Sequence, residues 1–149
     1  MKLEHLTVKQ LLRMEVPLRN LSRMPYSLGI AYKIGVVRGI IEPYLEQFHE
    51  QRSRLVRELG LPIKDEKGEP TAQLTVPTER ISEFEDRLKS TLDTVIQELN
   101  IPVAKIKLSQ LRDDAREQAG VLKLEPNQFV LTGGDLASLD WLVENDLGE

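Results

Sequence analysis

The segment 26–59 constrains this chain more than any other, because its apolar residues keep a helical spacing straight through a proline. Ile30, Ile34, Val37, Ile41, Tyr44, Phe48, Leu55 and Leu59 follow one another at steps of three, four or seven, which puts them on one side of a helix. At ~1.5 Å per residue such a helix is roughly 50 Å long, more than a compact domain of this size usually spans. It must be a spine against which other elements pack. Pro43 removes an N–H that would bond the carbonyl of Gly39, so the sequence predicts a kink between Gly39 and Pro43, with the apolar face continuing on both sides. A second stripe, Ala31, Gly35 and Gly39, is spaced by four, and small residues in register let another backbone come close. This stripe is expected to receive the first helix, with a neighbouring subunit as the alternative.

Other elements arrange themselves around that spine. Thr7 with Gln10 three residues on reads as a capping box, opening a helix over 7–24 with Val8, Leu11, Leu12, Leu18 and Leu21 on one face. Pro17 either kinks that helix or begins a second short one. Gly60 reads as a left-handed residue that stops the long helix, and Pro62 reinforces the break. Short extended pieces, 61–64 and 73–76, flank the turn Asp65-Glu66-Lys67-Gly68. Pro77 or Thr78 opens a third helix with Ile81, Phe84, Leu88, Leu92, Val95 and Leu99 on one face, so an antiparallel helical hairpin is predicted over about 26–99. Near its tip Glu79, Glu83, Glu85 and Asp86 are expected opposite Arg52, Arg54 and Arg57, each exposed pair contributing ~0.2–1 kcal/mol and mainly setting register.

Beyond Asn100 the pattern changes to short elements. Residues 103–108 alternate as a strand, and Ser109 caps a polar helix that Gly120 ends. Residues 122–125 and 128–131 are strand candidates about Pro126-Asn127. Thr132 with Asp135 caps a last helix carrying Leu136, Leu139, Trp141, Leu142 and Val143. The reading is a single mainly α domain over 1–149 with a minor β component: a long kinked hairpin, an N-terminal helix, and a small β-containing base with a C-terminal helix over about 100–146.

Composition bounds what such a fold can do. The chain has 149 residues, 40% of them apolar, enough for one domain with a core. Aromatics are only 5%, which is poor in the rings that line ligand pockets. With no cysteine, disulfides and thiolate metal sites are excluded. Met1-Lys2-Leu3-Glu4-His5 lacks an apolar signal core, and Lys33 and Arg38 interrupt the most apolar run, so neither export nor a membrane span is expected. The net charge of −4 hides a split, since residues 1–60 hold 10 of the 20 Lys and Arg but 6 of the 24 Asp and Glu. Attraction between the two halves is the simpler consequence; steering of a partner is the other.

No motif carries recognisable catalytic chemistry. His5 and His49 lack further ligands at metal spacing, and Asp113, Asp114 and Glu117 lack the alternating loop of a calcium site, so a solvated acidic face outweighs an ion site. Thr132-Gly133-Gly134-Asp135 lacks the spaced glycines and lysine of a phosphate loop and reads as a helix cap. Neither a cofactor nor a metal is implied. Between positions 9 and 38, Lys9, Arg13, Arg19, Arg23, Lys33 and Arg38 face only Glu15 among acidic residues, which suits either nucleic acid or an acidic protein partner. No interleaved aromatics or recognition helix accompany them, so a solvated surface is the simpler reading. Candidate partner-binding residues are therefore Arg13, Arg19, Arg23, Lys33 and Arg38, with Arg52 and Arg54 on the distal half of the long helix. Trp141 joins them as an aromatic anchor, unless its helix simply docks on the body.

Four stretches together resemble a family. Pro17-Leu18-Arg19-Asn20-Leu21, Leu28-Gly29-Ile30-Ala31-Tyr32-Lys33-Ile34, Asp65-Glu66-Lys67-Gly68 and Gly134-Asp135-Leu136-Ala137-Ser138-Leu139-Asp140-Trp141-Leu142 look like small, functionally unassigned helical proteins of tailed bacteriophages and prophages. The similarity spans nearly the whole chain, though its motifs are structural. It implies no catalytic residues. It implies a viral context, in the virion or the host cytoplasm: a virion or assembly component, or a small binder or inhibitor of a host protein. A non-enzymatic protein-binding module leads the functional readings, followed by a nucleic-acid binder using the basic N-terminal helices and then by an enzyme whose site forms only in three dimensions. The long helix can pair with the third helix of its own chain or of a second copy, so a homo-oligomer stays open.

Overall fold

The computed structural model describes residues 1–123 and 131–147. Its elements run β1 (Lys2–Thr7), α1 (Val8–Ser22), α2 (Leu28–Leu59), β2 (Leu61–Lys64), β3 (Pro70–Thr75), α3 (Thr78–Leu92), β4 (Val95–Asn100), β5 (Ile106–Lys107), α4 (Leu108–Val121), α5 (Gly133–Ser138) and β6 (Val143–Glu144). The chain is mainly α with a minor β component, as the sequence predicts. Three two-stranded sheets, β1 with β4, β2 with β3, and β5 with β6, hold its ends and its tip.

α1 starts where the capping box predicts, with the Gln10 N–H donating to Thr7 Oγ1 at 3.2 Å and the Thr7 N–H to Gln10 Oε1 at 2.8 Å. It continues through Pro17 as one helix, with that ring buried on its core face. α2 likewise runs unbroken through Pro43. Its inner face is Ile30, Ile34, Val37, Ile41, Leu45, Phe48, Leu55 and Leu59. Leu45 replaces the expected Tyr44, which is 37% exposed. Steps of three then four and of four then three both lead from Ile41 to Phe48, and spacing alone does not choose between them. The start also moves, from near Tyr26 to Leu28. Ser27 makes no side-chain cap there; its N–H instead donates to Asp114 Oδ2 on α4 at 2.7 Å. A carboxylate at a helix N-terminus meets both an orphan N–H and the positive end of the helix dipole. Burial and then the charge of Asp114 push the hydroxyl of neighbouring Tyr26 above the usual tyrosine range.

The helical hairpin is present, and shorter than expected. α2 and α3 are antiparallel, with Arg87 Nη1 3.9 Å from Glu83 on its own helix and 2.9 Å from Glu58 across the pair. Arg80 Nη1 donates to the Leu59 carbonyl at 3.4 Å. The observed cross-helix pair thus has its cation on α3, the reverse of the expected polarity, while Arg54 pairs within α2 to Glu50 at 2.8 Å. Gly60 is extended (φ −82°, ψ 153°) and not left-handed. Glycine is needed there for another reason: a Cβ would collide with the Val56 carbonyl oxygen, which accepts the Gly60 N–H at 2.7 Å. The tip turn is built by Asp65, whose Oδ1 accepts from the N–H groups of Lys67 and Glu69, both at 2.9 Å, with Gly68 at φ +79°.

α3 ends at Leu92, so Val95 and Leu99 belong to a strand and not to the predicted helix. β4 pairs antiparallel with the N-terminal strand β1, from Lys2 against Asn100 to Thr7 against Val95. The Met1 amino group donates to the Ile101 carbonyl at 2.7 Å, and the Ile101 N–H returns to Met1 O at 2.8 Å. β-branched Thr94, Val95 and Ile96 suit a strand better than a helix, and a partner from the other end of the chain decides the matter. His5 lies at φ 57°, and both Leu3 and Leu6, three apart, pack against the core.

At the base, the predicted strand 103–108 shrinks to β5, which pairs in parallel with β6 through Ile106 against Val143. α4 begins at Leu108 with Lys107 as its cap position and runs past Gly120. Ser109 is not the cap. Its N–H donates to Asp146 Oδ1 at 2.9 Å and its hydroxyl to Asp146 Oδ2, and these bonds hold the Asp146 carboxyl below the usual aspartate range. The last helix is short: α5 keeps the Thr132–Asp135 capping box but stops at Ser138, leaving Leu139, Leu142 and Val143 to fill the core from a turn and a strand. The strand candidates 122–125 and 128–131 lie largely outside the described residues. One buried cluster joins Leu11, Leu18 and Leu21 of α1, the Ile30–Leu45 face of α2, Leu99, Ile101, Leu111, Leu139 and Leu142. The rest of the hairpin extends beyond it.

Candidate interaction surfaces

The structure spreads the candidate cations over several surfaces. Arg13, Arg19, Arg23, Arg52 and Arg54 are exposed, and Lys33 and Arg38 are partly buried. Several are already answered by carboxylates: Arg19 lies 3.7 Å from Glu15, Arg38 contacts Glu42, and Arg54 contacts Glu50. Arg13, Arg23 and Lys33 form no ion pair among the described residues. Trp141 packs half-buried against the core, with its Nε1 enclosed and without a hydrogen-bond partner among the described residues. Less of its ring is open to a partner than of Tyr32.

Arg19 and Arg38 do meet, in a cleft of about 200 Å³ between α1 and α2. Sequence reasoning missed the other half of that cleft. Glu15, Glu42, Glu46 and His49 complete its polar lining, and His49 Nε2 sits 2.9 Å from Glu15 Oε1. Three carboxylates against two guanidiniums make this a mixed surface and not a phosphate groove. Positions 15 and 49 are on different helices, so only the antiparallel packing of α1 on α2 joins them. Among the described residues, no three histidine, aspartate or glutamate side chains gather as a metal ion requires. None of the described helices is long and apolar enough to cross a membrane.

The distal arm is the second surface. α3 contributes no buried residue, and β2 is exposed at all four positions. Leu61 is 52% exposed, and Ile63 and Ile81 are each 39% exposed. A two-stranded ribbon also leaves unpaired backbone donors and acceptors along its outer edges. The arm thus offers apolar side chains and open strand edges where little of the fold depends on them.

The third surface is the outer ridge of α2. Leu28, Tyr32, Gly35, Gly39 and Pro43 are all exposed and follow at steps of four, three, four and four, which makes one stripe. The Ala31, Gly35 and Gly39 stripe therefore does not receive α1; a Cβ on either glycine would meet nothing within 4 Å. Leu28 is 87% exposed and Tyr32 70%. Beyond Pro43 the same stripe turns to Glu46, Glu50, Arg54 and Arg57, all exposed. The stripe is thus uncharged to Pro43 and charged beyond it. Comparison with protein-family models, with curated proteins and with solved structures finds no match to this chain.

Proposed function

We propose that this chain is a non-enzymatic protein-binding module that holds its partner on the distal arm. The observation that carries this reading is α3, a fifteen-residue helix with no buried residue, joined to a hairpin whose apolar side chains face solvent. A helix so lightly packed adds little to the stability of the body, while its arm supplies both apolar anchors and free strand edges for a partner strand. The resemblance to small phage proteins supports a partner from the virion or from the host, in a virion, assembly or host-directed role. Capture tests it. Immobilised protein should retain a specific protein from host lysate or virion extract, and the triple variant Leu61→Asp, Ile63→Asp, Ile81→Asp should lose that protein while keeping its circular dichroism. Equal retention by the variant, or no capture by the native chain, overturns the reading.

Nucleic acid is the second reading, and the exposed Arg13 and Arg23 favour it because no carboxylate among the described residues answers them. It requires a mobility shift that weakens steeply with salt. Absence of a shift, or one insensitive to salt, removes it.

A further inference from the structure

We infer that the outer ridge of α2 is a self-association surface, on which a second copy of this chain packs antiparallel with Leu28 beside Pro43, Tyr32 beside Gly39 and Gly35 beside Val36 of the other copy. Self-complementarity is what selects a second copy as the occupant. A two-fold axis between Gly35 and Val36 sets Leu28 against Pro43 and Tyr32 against Gly39 reciprocally, as an isologous contact requires. Tyr32 then fills the recess over Gly39, where a Cβ would meet nothing within 4 Å. Gly35 beside the crossing point lets the two backbones approach closely, as small residues do wherever helices pack tightly.

Charge points to the same arrangement. The ridge has no charged residue from Leu28 to Pro43, and its first charge beyond is Glu46. In the antiparallel register Glu46 lies beside the segment that leads into α2 of the other copy, where exposed Arg23 has no ion pair among the described residues. A parallel arrangement would instead set Tyr32 on Tyr32, Glu46 on Glu46 and Glu50 on Glu50. Bulky residues would then meet at the seam and like charges beside it, which disfavours that alternative.

Size sets the strength. A strip about 22 Å long and about 10 Å wide supplies a few hundred Å² per copy, less than the roughly 800 Å² of a standard interface, so the dimer is weak and exchanges with monomer. The ridge is on the body and separate from the arm, so this inference does not depend on the arm's partner.

Because the chain has no cysteine, single cysteines report the register directly. Under mild oxidation Gly35→Cys should form a disulfide dimer, being next to the axis. Leu28→Cys alone should not, since its two copies lie about 22 Å apart along the helix, but it should couple when mixed with Pro43→Cys. Gly39→Leu provides the control for folding. Its side chain enters open space in the monomer and improves helix propensity, yet it fills the Tyr32 recess, so thermal stability should hold or rise while the dimer dissociation constant increases at least about tenfold. Self-coupling of Leu28→Cys without coupling to Pro43→Cys overturns the register. Light scattering that shows only monomer up to millimolar concentration, with no cross-linking by any pair, overturns the dimer and leaves the arm reading intact.

Discussion

Replacing Asp114 by alanine removes the acceptor for the N–H of Ser27, the cap residue of the central helix, from 87 positions away in the chain. Ser27 offers no side-chain cap and the first turn of α2 has no acidic residue, so nothing local takes over. Losing a capping acceptor costs typically ~1 kcal/mol, and losing a carboxylate near a helix N-terminus adds ~0.3–1 kcal/mol. The expected destabilisation is about 1–2 kcal/mol, or a fall in Tm of about 2–8 °C for a chain near this size. Asp113→Ala is the internal control, since that neighbour is exposed and should change stability by less than ~0.5 kcal/mol. Asp114→Asn should fall between, because an amide oxygen still accepts but the charge is gone. Urea and thermal unfolding of the three variants side by side give the answer. If Asp114→Ala and Asp113→Ala unfold alike, the carboxylate does not anchor α2.

Gly60→Ala should destabilise by about 1–3 kcal/mol, because its Cβ would overlap the Val56 carbonyl and the end of α2 must shift, and denaturant unfolding measures this. Leu6→Asp should cost about 1–3 kcal/mol by the same assay, since Leu6 packs on the core from a strand; a loose N-terminal tail would show no change. For Asp146 the folded carboxyl is held low by Ser109, so its contribution is present above the unfolded value and is lost as pH falls through the folded one. Stability of the native chain should therefore exceed that of Asp146→Asn at neutral pH, and the two should converge in the acid carboxylate range. Tyr26 has the opposite dependence, its contribution being full below the unfolded value of 10.0 and lost as pH rises above it. Tyr26→Phe should remove one late step from an alkaline absorbance titration.

What the sequence made legible was local. The seam of α2, from Ile30 to Leu59, follows from period except at Leu45, where spacing fits Tyr44 equally, and both capping boxes lie within four residues, so Thr7–Gln10 and Thr132–Asp135 could be read directly. What it hid was long-range. The spacing of Leu88, Leu92, Val95 and Leu99 fits a helix, and only pairing with residues near the N-terminus turns the last two into strand. His5 in the left-handed region places Leu3 and Leu6 on the core three apart, which erases the period-two signature of β1. The helix-capping roles of Asp114 and Asp146 and the Glu15–His49 contact join residues 34 or more positions apart, and no local motif announces them. The small-residue stripe is visible in the sequence, yet a Cβ on Gly35 or Gly39 would meet nothing within 4 Å, so no close approach occurs there within the described chain. That α1 would take a different face of α2 could not be read from spacing, because both faces satisfy it.

Hydrogen exchange of the free chain and of the chain with its captured partner tests most directly the division of the fold into a body and an arm. In the free chain, amides of 30–45 should exchange slowest, through global unfolding, and those of 61–92 faster, through local opening. Partner binding should slow exchange across 61–81 and leave the body unchanged. Arm amides as slow as those of the body in the free chain, or protection confined to the body on binding, would contradict it.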